Sequence, residues 1–307
     1  MRTGTPAAVR SAPPLPRCPR PGVPKARAVG NRPRVVAAAV LAGALLAGTV
    51  GGCGPARRDG AVRPPAAPTG PSRVPLLRAE VRGSLPHDPD AFTQGLEFRG
   101  STLYESTGLV GRSSLRAGPA GEPPTVRAEL PAPLFGEGIT LAGGRLWQLT
   151  WRNGIAIERD PDTLAERRRV TYRGEGWGLC CRCTAGRGQL VMSDGSARLT
   201  FRDPDTFDVT GGVDVRQDGR PVTELNELEC APDGFVYANV LGTDTLVRIQ
   251  PRTGAVTARI DATGLLTPSQ RRTARALNGI AAVPGTDSFL LTGKFWPRMF
   301  RVTFVPA

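Results

Sequence analysis

Five short segments each set one polar or aromatic side chain among small or apolar neighbours. They are Phe92-Thr93-Gln94-Gly95, Phe135-Gly136-Glu137-Gly138, Glu175-Gly176-Trp177-Gly178, Leu225-Asn226-Glu227-Leu228 and Leu277-Asn278-Gly279-Ile280. The groups Gln94, Glu137, Trp177, Asn226 and Asn278 follow one another at intervals of 43, 40, 49 and 52 residues. Brought to one place, a carboxylate, three carboxamides and an indole offer charge, hydrogen-bond donors and acceptors, and an apolar wall. That combination holds a polar ligand; the bland alternative is that the same groups plug a channel. The first segment belongs to a longer stretch, His87 to Arg116, that reads as a hairpin. Phe92, Leu96 and Phe98 alternate with polar neighbours, Gly100-Ser101 makes the turn, and Leu103 and Glu105 resume the alternation. It carries Thr93, Gln94, Glu105, Ser106 and Thr107, which must face water or line a polar site.

The elements that must position these groups form a repeat. Leu103, Leu146, Leu190, Val236 and Leu290 occupy equivalent points of five strand pairs, spaced 43, 44, 46 and 54 residues apart. Matching turns follow three of the units: DPDTL at 160–164, DPDTF at 203–207 and QPRTG at 250–254. Proline fixes φ and aspartate caps the local backbone in such turns. A period of 40–50 residues with about four strands per unit predicts an all-β fold, a five-bladed β-propeller. Leu76–Val81 is expected to supply the outer strand of the last blade and close the ring, and Pro268–Ala276 a short loop helix. A β-sandwich is the structural alternative, but it would not give five similar units. Ligand sites of propellers lie at the axial channel, where innermost strands begin.

The first 52 residues stand apart. They hold eight basic residues and no acidic one, followed by an apolar run from Val35 to Val50 and then Gly51-Gly52-Cys53. This pattern predicts a secretory signal over 1–52. Small residues before a cysteine look like a bacterial lipobox, which implies a lipid on Cys53, with a membrane-spanning anchor as the alternative. The basic region is long for a signal, so a translation start nearer Val23 is expected. Residues 53–73 are Pro-, Gly- and Arg-rich and read as a tether; residues 74–307 are the folded domain. The expected location is extracytoplasmic, lipid-anchored or secreted. Of the net charge of +13, the leader carries eight units, leaving +5 on a domain with interspersed signs. No basic stripe with interleaved aromatics appears, so nucleic acid is not an expected partner. Six cysteines divide into Cys18, Cys53 and four in the exported domain. Disulfides are favoured there, with Cys180–Cys230 the first pairing considered. An all-sulfur zinc site from Cys180, Cys181, Cys183 and Cys230 is the alternative, although adjacent cysteines chelate one metal poorly.

The segments HDPDAFTQGL, LYESTGLVGRSSLR, FGEGIT, LTW, GWGL, MSDGSARLTFRDPDTF, LNELE, YANV, LNGIA and TGKFW, in this order over residues 75–307, resemble the plant-type glutaminyl-peptide cyclotransferases of plants and bacteria. The resemblance implies a five-bladed propeller that converts N-terminal glutamine of peptides to pyroglutamate and releases ammonia, with no metal or other cofactor. It implies Glu137 of FGEG as the catalytic glutamate and Lys294 of TGKFW beside it. It implies Phe92, Gln94, Phe135, Trp151, Trp177, Asn226 and Asn278 as the substrate-binding set. The family usually carries Trp after YANV, where this chain has Leu241, so one aromatic wall is expected to be missing. The insertion CCRCTAGRG at 180–188 is a second departure.

The implied chemistry suits these residue types. The neutral α-amine must attack the γ-carboxamide carbon, the oxyanion needs donors, and the departing nitrogen must leave as ammonia. One carboxylate set between the two nitrogens can take the first proton and return it to the second. Lys294 or the amides of Gln94, Asn226 and Asn278 can hold the oxyanion or the peptide main chain. The two glycines around Glu137 are expected to allow close substrate approach. Lys294 has an alternative role as the ion-pair partner of Glu105 or Glu227, and His87, the sole histidine, is expected to be structural. Peptides and proteins with N-terminal Gln are the expected partners and the chain is expected to be a monomer, with membrane contact only through Cys53. Two other classes compete: a calcium-dependent lactonase on a small propeller, and a non-catalytic surface-tethered binding propeller.

Overall fold

Alternation and burial together account for the strands. In Val256–Asp261 the residues Val256, Ala258 and Ile260 are buried while Arg259 and Asp261 face water, the two-residue period of a half-buried strand. The computed structural model describes residues 74–183 and 188–307. The expected signal, the lipidation candidate Cys53, the tether and Cys18 lie outside the described residues.

The fold is all-β. In chain order the strands are β1 (Leu76–Pro86), β2 (Thr93–Arg99), β3 (Thr102–Thr107), β4 (Ser114–Pro119), β5 (Val126–Glu129), β6 (Gly136–Ala142), β7 (Arg145–Thr150), β8 (Ile155–Arg159), β9 (Glu166–Thr171), β10 (Leu179–Cys181), β11 (Leu190–Met192), β12 (Arg198–Arg202) and β13 (Val209–Asp214). There follow β14 (Arg216–Gln217), β15 (Arg220–Pro221), β16 (Leu225–Cys230), β17 (Val236–Val240), β18 (Thr245–Ile249), β19 (Val256–Asp261), helix α1 (Pro268–Arg271), β20 (Leu277–Ala282), β21 (Phe289–Gly293) and β22 (Arg298–Pro306). Strands β2–β5, β6–β9 and β10–β13 each form a four-stranded antiparallel sheet, and β14–β15 a small ribbon. The remaining strands form one eight-stranded sheet in the order β16-β17-β18-β19-β1-β22-β21-β20. Here β1 pairs antiparallel with β22, as expected for the N-terminal segment, but it runs on to Pro86 and also pairs parallel with β19. The loop helix covers only Pro268–Arg271, capped by Thr267.

The first strands of the successive groups meet in a closed cycle: β2 lies against β6, β6 against β10, β10 against β16, β16 against β20, and β20 back against β2. These strands are buried over most of their length, whereas the last strands are more exposed, β9 nearly throughout and β19 at alternate residues. Apolar clusters fill the spaces between successive groups. Tyr104, Leu115, Ile139 and Leu146 lie between the first and second, Trp147, Leu179 and Phe207 between the second and third. Val191, Leu228 and Val247 join the third to the fourth, and Leu96, Leu103, Leu290 and Met299 close the last onto the first. The repeat landmarks Leu103, Leu146, Leu190, Val236 and Leu290 all fall at the start of second strands. The Asp-Pro turns form for the stated reason: Asp160 Oδ1 accepts from the amides of Asp162 and Thr163, and Asp203 Oδ1 from those of Asp205 and Thr206.

Candidate active site

Four of the five spaced groups sit at one structural device. The pairing register shifts between Thr93 and Gly95, Gly136 and Ile139, Leu225 and Leu228, and Leu277 and Ile280. These are β-bulges at the same point of four inner strands, and they contain Gln94, Glu137, Asn226 and Asn278. A bulge leaves a residue outside the ladder and re-aims its side chain. All four are buried. Trp177 differs: it precedes the three-residue β10 and is half-buried.

The bulges connect. Asn278 Nδ2 donates to Thr93 O and to Gln94 Oε1, each at 3.0 Å. With its oxygen committed, the Gln94 amide presents its nitrogen, and Nε2 donates to Glu137 Oε1 at 3.0 Å. Glu137 is 4% exposed and has no other hydrogen-bond partner in the described structure. Burial pushes its carboxyl well above the usual range; the Lys294 charge opposes this and the Glu175 charge adds to it. Burial in turn lowers Lys294, against the pull of Glu137. Lys294 Nζ lies 4.8 Å from the centre of the Phe92 ring, a cation–π contact.

An aromatic wall runs from Lys294 outward. Phe92 meets Phe135 and Phe295 edge-on, at 6.1 and 5.2 Å between centroids, and Phe135 meets Trp151 at 5.4 Å. Gly108 makes the seat for Phe135, since a Cβ there would come within 2.3 Å of its ring. Trp151 and Trp177 are tied together by Glu175, whose Oε2 accepts from both indole nitrogens, at 2.7 and 3.0 Å. Its Oε1 accepts from Arg152 Nε at 2.9 Å, and the Arg152 guanidinium lies over Trp151 at 3.9 Å. Desolvation alone would raise the Glu175 carboxyl, but these donors hold it below its ordinary value. Glu175 was quoted in the sequence only as a neighbour of Trp177. Its tie to Trp151 crosses between two strand groups, and no local spacing announces that.

Three buried amides retain an unpartnered polar atom among the described residues: Asn226 Oδ1, Asn239 Nδ2 and Asn278 Oδ1. Buried polar atoms are ordinarily paired, so each is an exception among the described residues. Asn239, in the YANV segment, had no assigned role; its Oδ1 accepts from Gly279 N at 3.1 Å. Leu241 is half-buried on the same connection, its amide bonded to Glu224 O.

Several expectations need correction. The glycines around Glu137 face protein. A Cβ on Gly136 would lie 2.8 Å from Thr107 O, and one on Gly138 2.6 Å from Leu179 N. They let neighbouring backbones touch, and the side on which a Cβ would stand is filled by protein. Lys294 pairs with neither Glu105 nor Glu227: Glu105 is taken by His87, Arg116 and Thr93, and Glu227 accepts from the amides of Leu96 and Ile280. The sulfurs of Cys180 and Cys230 are bonded to each other across β10 and β16, and those of Cys181 and Cys183 likewise, so none is free for the zinc alternative. Residues 184–187 of the insertion lie outside the described residues.

A buried carboxyl whose pKa burial raises, set among amides, an ammonium and an aromatic wall, is the kind of cluster in which enzyme sites for a small polar group are found. Comparison gives the particular family. The Glutamine cyclotransferase family pattern matches residues 57–304. A glutaminyl-peptide cyclotransferase of Arabidopsis thaliana is 39% identical over 233 residues, 73% of this chain and 70% of that protein. The crystal structure of Myxococcus xanthus glutaminyl cyclase superimposes with a TM-score of 0.67 at 38% identity, over 76% of this chain and 99% of that one. This chain belongs to the glutamine cyclotransferase family.

Proposed function

We propose that this chain converts the N-terminal glutamine of peptides and proteins to pyroglutamate, with release of ammonia, at the Glu137 pocket. The observation that carries the reading is Glu137 itself: a fully enclosed carboxyl with one neutral donor, beside an aromatic wall. The substrate's α-amine titrates at about 7.7–8.0 when free, far above an ordinary carboxyl. A carboxyl raised by burial is closer to it in proton affinity, so a proton passes between them with little penalty. Glu137, ionised when substrate binds, takes the proton from the attacking amine as the new N–Cδ bond forms. It then returns the proton to the γ-nitrogen, the Cδ–N bond breaks, and ammonia leaves.

Lys294 lends positive charge to the oxyanion. Gln94, oriented by Asn278, fixes Glu137 and contacts the substrate amide. The unpartnered oxygens of Asn226 and Asn278 accept from the peptide. Phe92, Phe135, Trp151 and Trp177 confine the folding side chain and exclude water. The chemistry as written uses only these side chains, with no metal or other cofactor. The cyclic order of inner strands and the clusters between successive groups support a five-bladed β-propeller, in which the pocket lies at one mouth of the axial channel. The basic, apolar and Cys53 segments support export and a lipid anchor, and a disulfide between β10 and β16 suits that location.

The test is ammonia release from a short peptide with N-terminal Gln, by wild type, a chelator-treated sample and Glu137→Gln. Release that survives chelation and is lost in Glu137→Gln is expected. A folded wild type that releases none rejects the assignment in favour of a binding protein.

A further inference from the structure

His87 stands just after β1 and outside the Glu137 hydrogen-bond chain, and the reaction as written does not use it. Its ring is enclosed, and each ring nitrogen faces an acceptor, the Glu105 carboxylate on one side and the Trp296 carbonyl on the other. Nε2 lies 3.0 Å from Glu105 Oε1. Nδ1 lies 2.7 Å from Trp296 O and 3.2 Å from Thr292 Oγ1. Trp296 O is a carbonyl and can only accept, so Nδ1 donates to it; the Thr292 hydroxyl also has Arg298 O as an acceptor at 3.1 Å. A neutral imidazole has one donor nitrogen and would leave a lone pair facing oxygen on the other. Both nitrogens therefore donate, and the ring is the cation.

Of the charged groups facing the ring, Glu105 stabilises this state and the Arg116 charge opposes it. Glu105 is the counter-ion; its other oxygen accepts from Arg116 Nε and Nη2 at 3.0 and 2.8 Å, and Arg116 Nη1 reaches Asp88. Burial would lower the His87 pKa, but the Glu105 charge and hydrogen bond outweigh it and the net direction is up.

What this cation grips is the turn that carries two pocket residues. His87 binds the turn twice, through the ring to Trp296 O and through its backbone amide to Pro297 O at 3.0 Å, and the ring also meets Thr292 at the end of β21. Ala91 O accepts from Phe295 N at 2.7 Å, close by in the same connection. Between these ties lie Lys294, over Phe92, and Phe295, against Phe92. Phe295 has φ +60°, a left-handed conformation that a bulky residue keeps only when its surroundings impose it. We infer that His87 is a buried imidazolium that clamps the Gly293–Pro297 turn to Glu105, and is a positioning residue for Lys294 and Phe295 in the pocket. The positioning half rests on the cyclase reading; the imidazolium half does not.

The protein contains one histidine, so ring-15N histidine gives one pair of signals in material without a histidine tag. At pH 7 both ring nitrogens are expected at imidazolium shifts, with a midpoint above that of free histidine. A neutral tautomer at pH 7 overturns the inference. In the wild type, kcat for an N-terminal Gln peptide is expected to fall on the alkaline side with the midpoint of the ring titration; kcat constant through that titration overturns the positioning role. His87→Gln is expected to unfold cooperatively but to lose about tenfold to a hundredfold in kcat, as displaced catalytic groups do. Its pH profile should lack the His87 limb. Wild-type kinetics with only a lower Tm would mean that the histidine is structural alone. An imidazolium spectrum in a wild type that releases no ammonia fails the cyclase assignment and leaves the clamp standing.

Discussion

Glu105 and Glu137 are the same residue type, both about 4% exposed, on two neighbouring four-stranded sheets. Their surroundings shift their pKa values in opposite directions. For Glu105, burial favours the neutral acid, but the His87 and Arg116 charges and hydrogen bonds from His87 and Thr93 prevail and bring its pKa down to about 2. Glu137 faces the same burial with one neutral amide at bonding distance and one ammonium that is itself pushed toward neutrality, and its carboxyl stays well above the ordinary range. Enclosure alone makes a carboxyl a poor anion; the number of committed cations decides whether it becomes a structural anchor or a proton carrier.

The most severe way to break this comparison is to remove the proposed proton carrier, Glu137. Glu137→Gln keeps shape and removes the exchangeable proton, so cyclisation should fall by about 10²- to 10⁴-fold, measured as ammonia release, with the thermal transition retained. The matching change on the other side reverses the readout. Glu105→Gln leaves Arg116 and His87 enclosed without a full counter-ion and should cost about 3–5 kcal/mol of stability by denaturant titration. A retained midpoint would show that the network is dispensable. Lys294→Met tests whether the ammonium restrains Glu137: its carboxyl should rise further, the acidic limb of the rate profile should move to higher pH, and kcat should drop. An unmoved limb would mean the two groups do not couple.

Glu175→Gln should act in the reverse sense with a smaller effect. It removes a charge that raises Glu137, so the acidic limb should move to lower pH, while loss of about 1 kcal/mol per weakened indole bond raises KM several-fold. The smallest effect is the acid response of the anchor. The folded pKa of Glu105 lies below its unfolded value, so its stabilisation is complete above about pH 4.5 and is lost only as pH falls through about 2. Glu105→Gln should flatten that part of the stability curve.

The repeat, its strand pairs, the Asp-Pro turns and the closing N-terminal strand were legible because each depends on local chemistry: a period of two within strands and backbone caps within turns. Gln94, Glu137, Asn226 and Asn278 could be placed in equivalent positions for the same reason, since the spacing of the units carries them. Two things escaped. The Glu175 tie links indoles 26 residues apart on different groups. The glycines beside Glu137 looked like room for substrate, and only the neighbouring backbone shows that the room is filled.

Sequence by itself therefore determined the strand content, the five-unit rhythm and the residue types available to the pocket, because period, turn propensity and side-chain chemistry belong to short stretches of chain. Tertiary structure alone decided which carboxyl is shifted up and which is shifted down. That depends on the partners within a few ångströms of a buried group, and for Glu105 they come from β1's end, β2 and β4, while for Glu137 they come from β2 and the turn after β21.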